Sequence, residues 1–149
     1  MSSAQMKVYV PLVQAFAARV LTFHSVVAEK LGLHATDLRT LRLLSKQSMS
    51  AGELTEETGL TGAAVTALID RLESAGYVLR ERDTDDRRRV TVRALPEKLR
   101  EVNRLYEGQG ARMSKLLDKY SAKEFAVIAD YLKQTTQVLA EEAKKLQAH

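Results

Sequence analysis

The sequence lacks cysteine and has only three histidines among its 149 residues. Without cysteine, the chain cannot form disulfides, thiolate metal sites, a cysteine nucleophile or a thiol redox sensor. His24, His34 and His149 do not have the spacing of metal ligands, so we expect no metal and no cofactor. The sequence also has no Ser/His/Asp order, glycine-rich phosphate loop or close carboxylate pair with a base. It therefore does not predict an enzyme.

Long apolar runs are missing as well. No uninterrupted run approaches the roughly 18 residues that cross a membrane, so we expect no membrane span. Lys7 and the apolar residues 8–17 resemble a short secretory signal. The apolar stripe continues on a helical period to Leu31, however, and Arg19 interrupts it. These features predict a cytoplasmic protein.

The composition that remains is typical of a soluble globular protein, with 45% apolar and 28% charged residues. The length suits one domain, or one domain with an added dimerisation element. A net charge of +4 only weakly indicates an anionic partner. Arginine is concentrated locally. Residues 80–93 contain six arginines against four acids, whereas residues 34–95 contain ten basic and ten acidic residues.

The apolar periodicity predicts long helices at both ends of the chain. The first spans residues 6–31, ends at Gly32, and has an apolar stripe wider than one neighbouring element needs. A fifth helix starts at Pro96 and runs to about Tyr120. A capping box at residues 121–124 opens the last helix. We expect irregularity in the fifth helix at Gly108 and Gly110, and inward-facing side chains in the last helix at Phe125, Ile128, Leu132, Leu139 and Leu146.

The middle of the chain predicts three shorter helices and a hairpin. Thr36 can cap the second helix, and a capping box at residues 50–53 opens the third, which ends at Gly59. Thr61 can cap the fourth helix, and Gly76 suits its end. The apolar period of the fourth helix predicts a buried face of Val65, Leu68, Ile69 and Leu72. Two alternating segments, 77–82 and 90–94, then form a hairpin with a polar tip.

A short helix, a glycine turn, a second helix and a hairpin follow each other in the order of a winged helix-turn-helix. The predicted fold class is therefore mainly α with a small β-hairpin wing, flanked by long terminal helices. The outer face of the fourth helix is small and polar, as entry into a major groove requires, and its amino end offers N–H groups to phosphate. Thr66 can reach a base edge and Arg71 a phosphate or base. The alternative is an ordinary surface helix whose outer face happens to be small and polar. The residues of this face are Gly62, Ala63, Thr66, Ala67, Asp70 and Arg71.

The hairpin tip places several guanidinium groups together. An arginine on such a tip can enter a narrow minor groove, where the potential is most negative. Asp86 can hold a neighbouring arginine extended through a bidentate pair. The alternative is a solvated run of charges whose pairs contribute little. The candidate DNA contacts outside the helix face are Thr61, Arg82, Asp86, Arg87, Arg88 and Arg89.

The sequence resembles the MarR (multiple antibiotic resistance regulator) family over nearly its whole length. The resembling residues are 54–78, Arg80 and the wing 85–92, with a Leu-x-x-x-Gly exit from the fourth helix and an Asp-x-Arg wing. The resemblance implies homodimeric regulators, more often repressors, that bind palindromic operators. It assigns Arg88 as the minor-groove finger and Asp86 as its orienting partner. It also implies that the first, fifth and sixth helices form the dimer interface.

Two local departures from the family pattern are visible. Many members have serine near the start of the fourth helix, where this chain has Gly62, Ala63 and Ala64. Pro96 stands in place of a threonine cap after the wing. The first departure removes a hydroxyl from the expected base contacts, and the second leaves the fold expectation unchanged.

The resemblance further implies a small effector, often an aromatic or phenolic anion, that releases the DNA. Its site usually lies between the dimerisation helices and the winged domain. His24 is the polar group on the apolar stripe and could donate to a carboxylate or phenolate. The alternative is that Phe16, Val20 and Phe23 are core residues and that the His24 imidazole is solvated or hydrogen-bonded to its own helix. The candidate ligand residues are Phe16, Val20, Phe23, His24, Leu43 and Leu44.

The sequence thus predicts three regions and one function. Residues 1–33 form a dimerisation helix, residues 34–95 the winged DNA-binding domain, and residues 96–149 the carboxy-terminal dimerisation helices. The predicted function is a sequence-specific transcriptional regulator whose partners are double-stranded DNA, a second copy and a small effector, without membrane binding. The alternative is a winged helix that binds proteins and not DNA, since fold does not fix function. Several arginines on the wing favour the DNA-binding prediction.

Overall fold

A computed structural model describes residues 2–82 and 90–147 of the chain. It divides into two compact units, Met1–Val102 and Asn103–His149. The predicted division into residues 1–33, 34–95 and 96–149 stays a prediction.

The described chain is mostly helical with one small antiparallel sheet, which confirms the predicted fold class. Strand β1 is an addition to the prediction. The elements are α1 Ser3–Lys30, α2 Ala35–Leu44, β1 Met49–Ser50, α3 Ala51–Thr58, α4 Gly62–Ser74, β2 Val78–Arg82, β3 Val90–Ala94, α5 Pro96–Leu117 and α6 Ala122–Gln147.

The helix boundaries around α3 and α4 confirm the capping signals. The Ser50 hydroxyl accepts the N–H of Glu53 at 3.3 Å, and the Glu53 carboxylate accepts the N–H of Ser50 at 2.7 Å. Thr61 Oγ1 accepts the N–H of Ala64 at 3.2 Å. Gly59 has φ +70°, a left-handed conformation that glycine adopts without the steric cost of a Cβ atom.

The predicted cap of α2 is wrong by two residues. The helix begins at Ala35 with His34 as its N-cap, and Thr36 lies inside the first turn. The backbone N–H of His34 donates to Asp37 Oδ2 at 3.2 Å. The carboxylate at the third helical position therefore satisfies the N–H of the N-cap residue, which is His34 and carries no hydroxyl.

The sheet has the order β1-β3-β2. The hairpin register pairs Val78 with Ala94 at its base and Arg82 with Val90 at its outer end. The short β1 pairs with the other side of β3, Ser50 lying opposite Thr91. The side chains of Val78 and Ala94 are buried, so the hairpin is anchored in the core at its base.

The core of the first unit lies between α2, α3, α4 and the sheet. The predicted inward face of α4 is confirmed, because all four of its apolar side chains are buried against this core. Val102 of α5 also belongs to it. The largest fully buried apolar side chains are Leu38, Leu41, Leu54, Leu68, Ile69 and Leu72.

Helix α5 is continuous through Gly108 and Gly110, so the expected irregularity there is wrong. Each glycine costs about 1 kcal/mol relative to alanine, and the intrahelical bonds of a 22-residue helix tolerate this. The helix ends at Leu117, earlier than the predicted Tyr120.

Helix α6 begins with the predicted capping box. The Ser121 hydroxyl accepts the N–H of Glu124 at 3.3 Å, and the carboxylate accepts the N–H of Ser121 at 2.8 Å. Ile128 is half-buried, whereas Phe125, Leu132, Leu139 and Leu146 are exposed. The expectation that these four face inward is therefore not met within the single chain.

Helix α1 is long and apolar enough to cross a membrane by length and composition alone. Gln14 and Arg19 interrupt the apolar residues of this helix, and the expectation of no membrane span stays a prediction. A core helix of a soluble protein and a signal sequence satisfy the same criterion.

Candidate nucleic-acid interface

The outer face of α4 is fully on the surface. All six side chains predicted to form this face are exposed, while the opposite face of the same helix is buried. Thr61 caps the amino end, and small residues follow it, so other molecules can approach the first-turn N–H groups closely. Thr66 Oγ1 donates to the carbonyl of Gly62 at 3.0 Å. Its oxygen can still accept a hydrogen bond from outside the helix.

The Arg71 side chain is partly exposed to solvent, and its guanidinium contacts α2 of the same chain. Its Nη2 atom lies 2.7 Å from Oδ1 of Asp37 on α2. The Asp37 side chain is 2% exposed and the Arg71 side chain 45%. The sequence predicted Arg71 as a DNA contact and did not predict this buried partner. The DNA contact stays a prediction, and the ion pair gives Arg71 a second role.

Arg80 joins the hairpin to α4, an arrangement that sequence reasoning missed. Its guanidinium binds both Asp70 and Glu73 on α4, and its backbone N–H donates to Glu73 Oε1 at 3.1 Å. The hydrogen bond to Asp70 is the main cause that raises the pKa of Arg80. The signal was present in the sequence, because acids three residues apart share one side of a helix and an arginine follows in the next strand.

The outer part of the hairpin has a second ion pair. Arg93 Nη2 lies 2.7 Å from Glu81 Oε1 across the two strands, and this hydrogen bond lowers the pKa of Glu81. Arg82 is exposed at the outer end of β2. The predicted contacts Asp86, Arg87, Arg88 and Arg89 lie outside the described residues.

A cleft of about 300 Å³ lies between α1 and α2. Arg42 Nη1 lies 3.4 Å from both ring nitrogens of His24, and burial followed by the charge of Arg42 lowers the pKa of His24. Sequence reasoning identified His24 but missed Arg39 and Arg42. The two arginines lie three residues apart on the short helix α2, and this spacing could have indicated a positively charged helix face. The residues that line the cleft are Leu21, His24, Ser25, Ala35, Thr36, Leu38, Arg39 and Arg42.

The other predicted ligand residues are not brought together in this cleft. Phe16 is exposed, and Val20, Phe23 and Leu43 are half-buried. Leu44 belongs to the core. Within residues 2–82 and 90–147, no group of three or more His, Asp and Glu side chains could hold a metal ion.

The helices α3 and α4 followed by the β2–β3 hairpin define a winged helix-turn-helix protein. A family model described as the MarR family matches residues 31–89. The HTH-type transcriptional regulator YcgE of Bacillus subtilis (strain 168) is 36% identical over 141 residues, which cover 94% of this chain and 92% of YcgE. The chain belongs to the MarR family, and is a transcriptional regulator with a DNA-binding winged helix.

Solved structures show the same fold. A MarR family protein from Bacillus stearothermophilus superposes with a TM-score of 0.73 at 23% identity, over 94% of this chain and 99% of that one. A mutant of S. aureus MepR bound to an oligodeoxyribonucleotide superposes with a TM-score of 0.61 at 18% identity, over 88% of this chain and 97% of that one. At these identities the likeness concerns the fold alone.

Proposed function

We propose that the protein is a cytoplasmic repressor that binds a palindromic operator as a homodimer and releases it when a small anion binds. Helix α4 enters the major groove, and the hairpin reaches the neighbouring minor groove. The observation that carries this proposal is the two-sided character of α4. One face is buried in the core, and the other presents small and polar groups without a covering element in the described chain.

The dimensions and chemistry of α4 support entry into the major groove. The groove admits one α-helix, and small residues at the amino end, such as Gly62 and Ala63, allow close approach to bases and phosphates. Thr66, one turn further along, can contact a base edge or a thymine methyl group. A mutant of MepR that shares this fold is bound to an oligodeoxyribonucleotide, which supports DNA as a partner of the fold.

The charges around α4 are compatible with a polyanion. Asp70 and Glu73 would repel phosphates if they were unpaired, but both are bound by Arg80. The single cation therefore neutralises part of the negative charge of these two carboxylates. Local pairing, and not the net charge of +4, makes this face acceptable to DNA.

Exposed apolar side chains support the homodimer. Phe16 on α1 is 60% exposed, and Leu139 on α6, in the other unit, is 66% exposed. Soluble monomers rarely expose extended apolar helix faces, and a second copy would cover them. A two-fold dimer would place its two α4 helices about 34 Å apart, one DNA turn, which would match a palindrome.

The cleft between α1 and α2 supports a small anionic effector. Its volume of about 300 Å³ lies at the lower end of the range of small-molecule sites. Arg39 and Arg42 supply positive charge at an otherwise apolar wall, and His24 supplies a further nitrogen. An aromatic carboxylate or phenolate has the complementary chemistry.

The test is fluorescence anisotropy with DNA selected from random sequences and with the DNA flanking the gene. We expect tight, salt-sensitive binding to a palindromic sequence by a dimer, and weak binding to random DNA. Arg88→Ala should weaken operator binding by about 1–3 kcal/mol, and Arg100→Ala on α5 serves as the control that removes an exposed arginine elsewhere. Failure to select any sequence would overturn the proposal and favour a protein-binding winged helix.

A further inference from the structure

We infer that Asp37 and Arg71 form a positioning pair, in which a buried carboxylate on α2 fixes how α4 is presented to DNA. The inference rests on the proposed function, because it concerns the same helix in the same complex. It assigns Arg71 to the alignment of α4 and not to a DNA contact. Asp37 becomes a determinant of operator specificity although it is buried.

Both oxygens of the Asp37 carboxylate are engaged. Oδ2 accepts the N–H of His34 at 3.2 Å, and Oδ1 accepts the Arg71 guanidinium at 2.7 Å. Burial of an ionised carboxylate is costly unless it is paired and hydrogen-bonded. The Asp37 side chain is almost fully buried. Removal of Arg71 from α4 would therefore leave a buried carboxylate without its charged partner.

The pair links elements that are far apart in the chain. Asp37 and Arg71 are separated by 34 positions, and the bond joins the first turn of α2 to the last part of α4. The remaining contacts of α4 with the core come from apolar side chains such as Leu68 and Leu72, and apolar burial has no preferred direction. A charged hydrogen bond is directional, so this pair fixes the rotation of α4 from the side of α2, as the bonds of Arg80 to Asp70 and Glu73 do from the side of the hairpin.

Rotation of α4 matters for base contacts more than for phosphate attraction. Base-edge hydrogen bonds require Thr66 and its neighbours at defined positions, whereas non-specific binding depends mainly on charge. Loss of the pair should therefore reduce operator binding more than random-DNA binding. Charge makes the opposite prediction for Asp37, because removal of a negative charge should strengthen any contact with DNA.

The test compares Asp37→Asn, Arg71→Gln and the double variant with the wild type, on operator and random DNA at several salt concentrations. We expect each single variant to lose about tenfold in operator affinity, and the double variant to lose no more than the weaker-binding single variant. Asp37→Asn should leave random-DNA affinity unchanged within about twofold. The salt dependence of Arg71→Gln should stay within experimental error of the wild type, whereas loss of a phosphate contact would reduce the slope by about 0.9.

Circular dichroism and thermal unfolding of each variant establish that it is folded at the assay temperature, and Arg100→Ala controls for loss of an exposed arginine. If Asp37→Asn does not fold, Arg71→Lys decides the question. Lysine keeps the charge, but its ammonium lies one bond closer to the backbone than the arginine Nη2 that binds Asp37 Oδ1, so Arg71→Lys should retain stability better than Arg71→Gln and still lose operator preference. Unchanged preference in Arg71→Lys would overturn the inference.

The outcomes separate this inference from the proposed function. Wild-type protein that cannot distinguish operator from random DNA would refute both. Wild-type specificity with normal or stronger operator binding by Asp37→Asn would refute the positioning pair alone. Additive losses in the double variant, with a reduced salt slope for Arg71→Gln, would instead assign Arg71 to a phosphate contact.

Discussion

Replacement of Arg80 by alanine should weaken both the attachment of the hairpin to α4 and the affinity for DNA. The substitution removes the cation that binds Asp70 and Glu73, while the backbone N–H at position 80 can still donate to Glu73. Asp70 on the outer face of α4 then becomes an unpaired negative charge. DNA phosphates approach this face in the proposed complex.

The loss of stability and the loss of DNA affinity should differ in magnitude, and a second substitution should restore only the affinity. Partly exposed ion pairs are worth about 0.2–1 kcal/mol each, so the loss of two should lower the free energy of unfolding by roughly 0.4–2 kcal/mol. A unit charge about 4 Å from a phosphate contributes about 1 kcal/mol in water, which corresponds to about a fivefold weaker DNA affinity. Asp70→Asn added to Arg80→Ala should restore most of the affinity, but not the stability.

Urea denaturation measures the first effect, and fluorescence anisotropy on operator DNA at low and moderate salt measures the second. The affinity loss in Arg80→Ala should shrink as salt is raised, because exposed charges are screened. If Asp70→Asn does not restore affinity in the Arg80→Ala background, the shielding argument is refuted. Arg80 would then act on DNA directly.

Three other substitutions test the core, the helix cap and the cleft. Leu72→Ala, at a fully buried position of α4, should lower the free energy of unfolding, measured by urea denaturation, by about 2–5 kcal/mol. Leu79→Ala, at an exposed position, should lower it far less, and equal losses in the two variants would contradict the assigned core. Thr61→Ala should cost about 1 kcal/mol of stability, measured the same way, because Ala64 N–H loses its acceptor, and Thr61→Ser should be neutral. The folded pKa of His24 lies below its usual value of 6.5, so below about pH 6.5 the unfolded chain takes up a proton before the native one does and stability falls. His24→Gln should lack this part of the pH dependence in thermal unfolding, and an unchanged profile would assign it to other groups.

The sequence predicted those parts of the fold that depend on neighbouring residues. The inward face of α4 follows from an i, i+3, i+4, i+7 period between a threonine cap and a left-handed glycine, Gly76. The hairpin strands follow from alternation on either side of a polar tip. Both patterns involve residues that are close together in the chain, so they can be recognised from a single sequence.

Features that depend on distant partners could not be predicted in the same way. Strand β1 has two residues and exists because β3 pairs with it, so no local pattern marks it. The cap of α2 was misplaced because its N-cap residue, His34, has no hydroxyl, and its N–H is instead satisfied by the carboxylate of Asp37. The same carboxylate also binds Arg71, and sequence alone gives no distance between positions 37 and 71.

The candidate DNA-binding face was therefore predicted as a set of exposed residues, but not as an electrostatic arrangement. Thr61, Gly62, Ala63 and Thr66 lie on the exposed, amino-terminal part of α4 or at its cap, as expected. The bond from α4 to α2 became visible only in three dimensions, whereas the link from α4 to β2 had a signal in the spacing of Asp70, Glu73 and Arg80 that sequence reasoning missed. For the cleft, the one predicted residue on its wall is His24, because the remaining candidates were chosen from apolar periodicity and not from the neighbouring arginines.

Ser50 ends β1 and also caps α3, so one residue belongs to both the sheet and the helix-turn-helix. Across the sheet it faces Thr91 of β3, and through its hydroxyl and N–H it holds Glu53 of α3. Ser50 therefore attaches the start of α3 directly to β3, and no loop residue lies between the sheet and the helix-turn-helix. A displacement of β3 at Thr91 would have to move the first turn of α3 as well, unless the pairing at Ser50 broke.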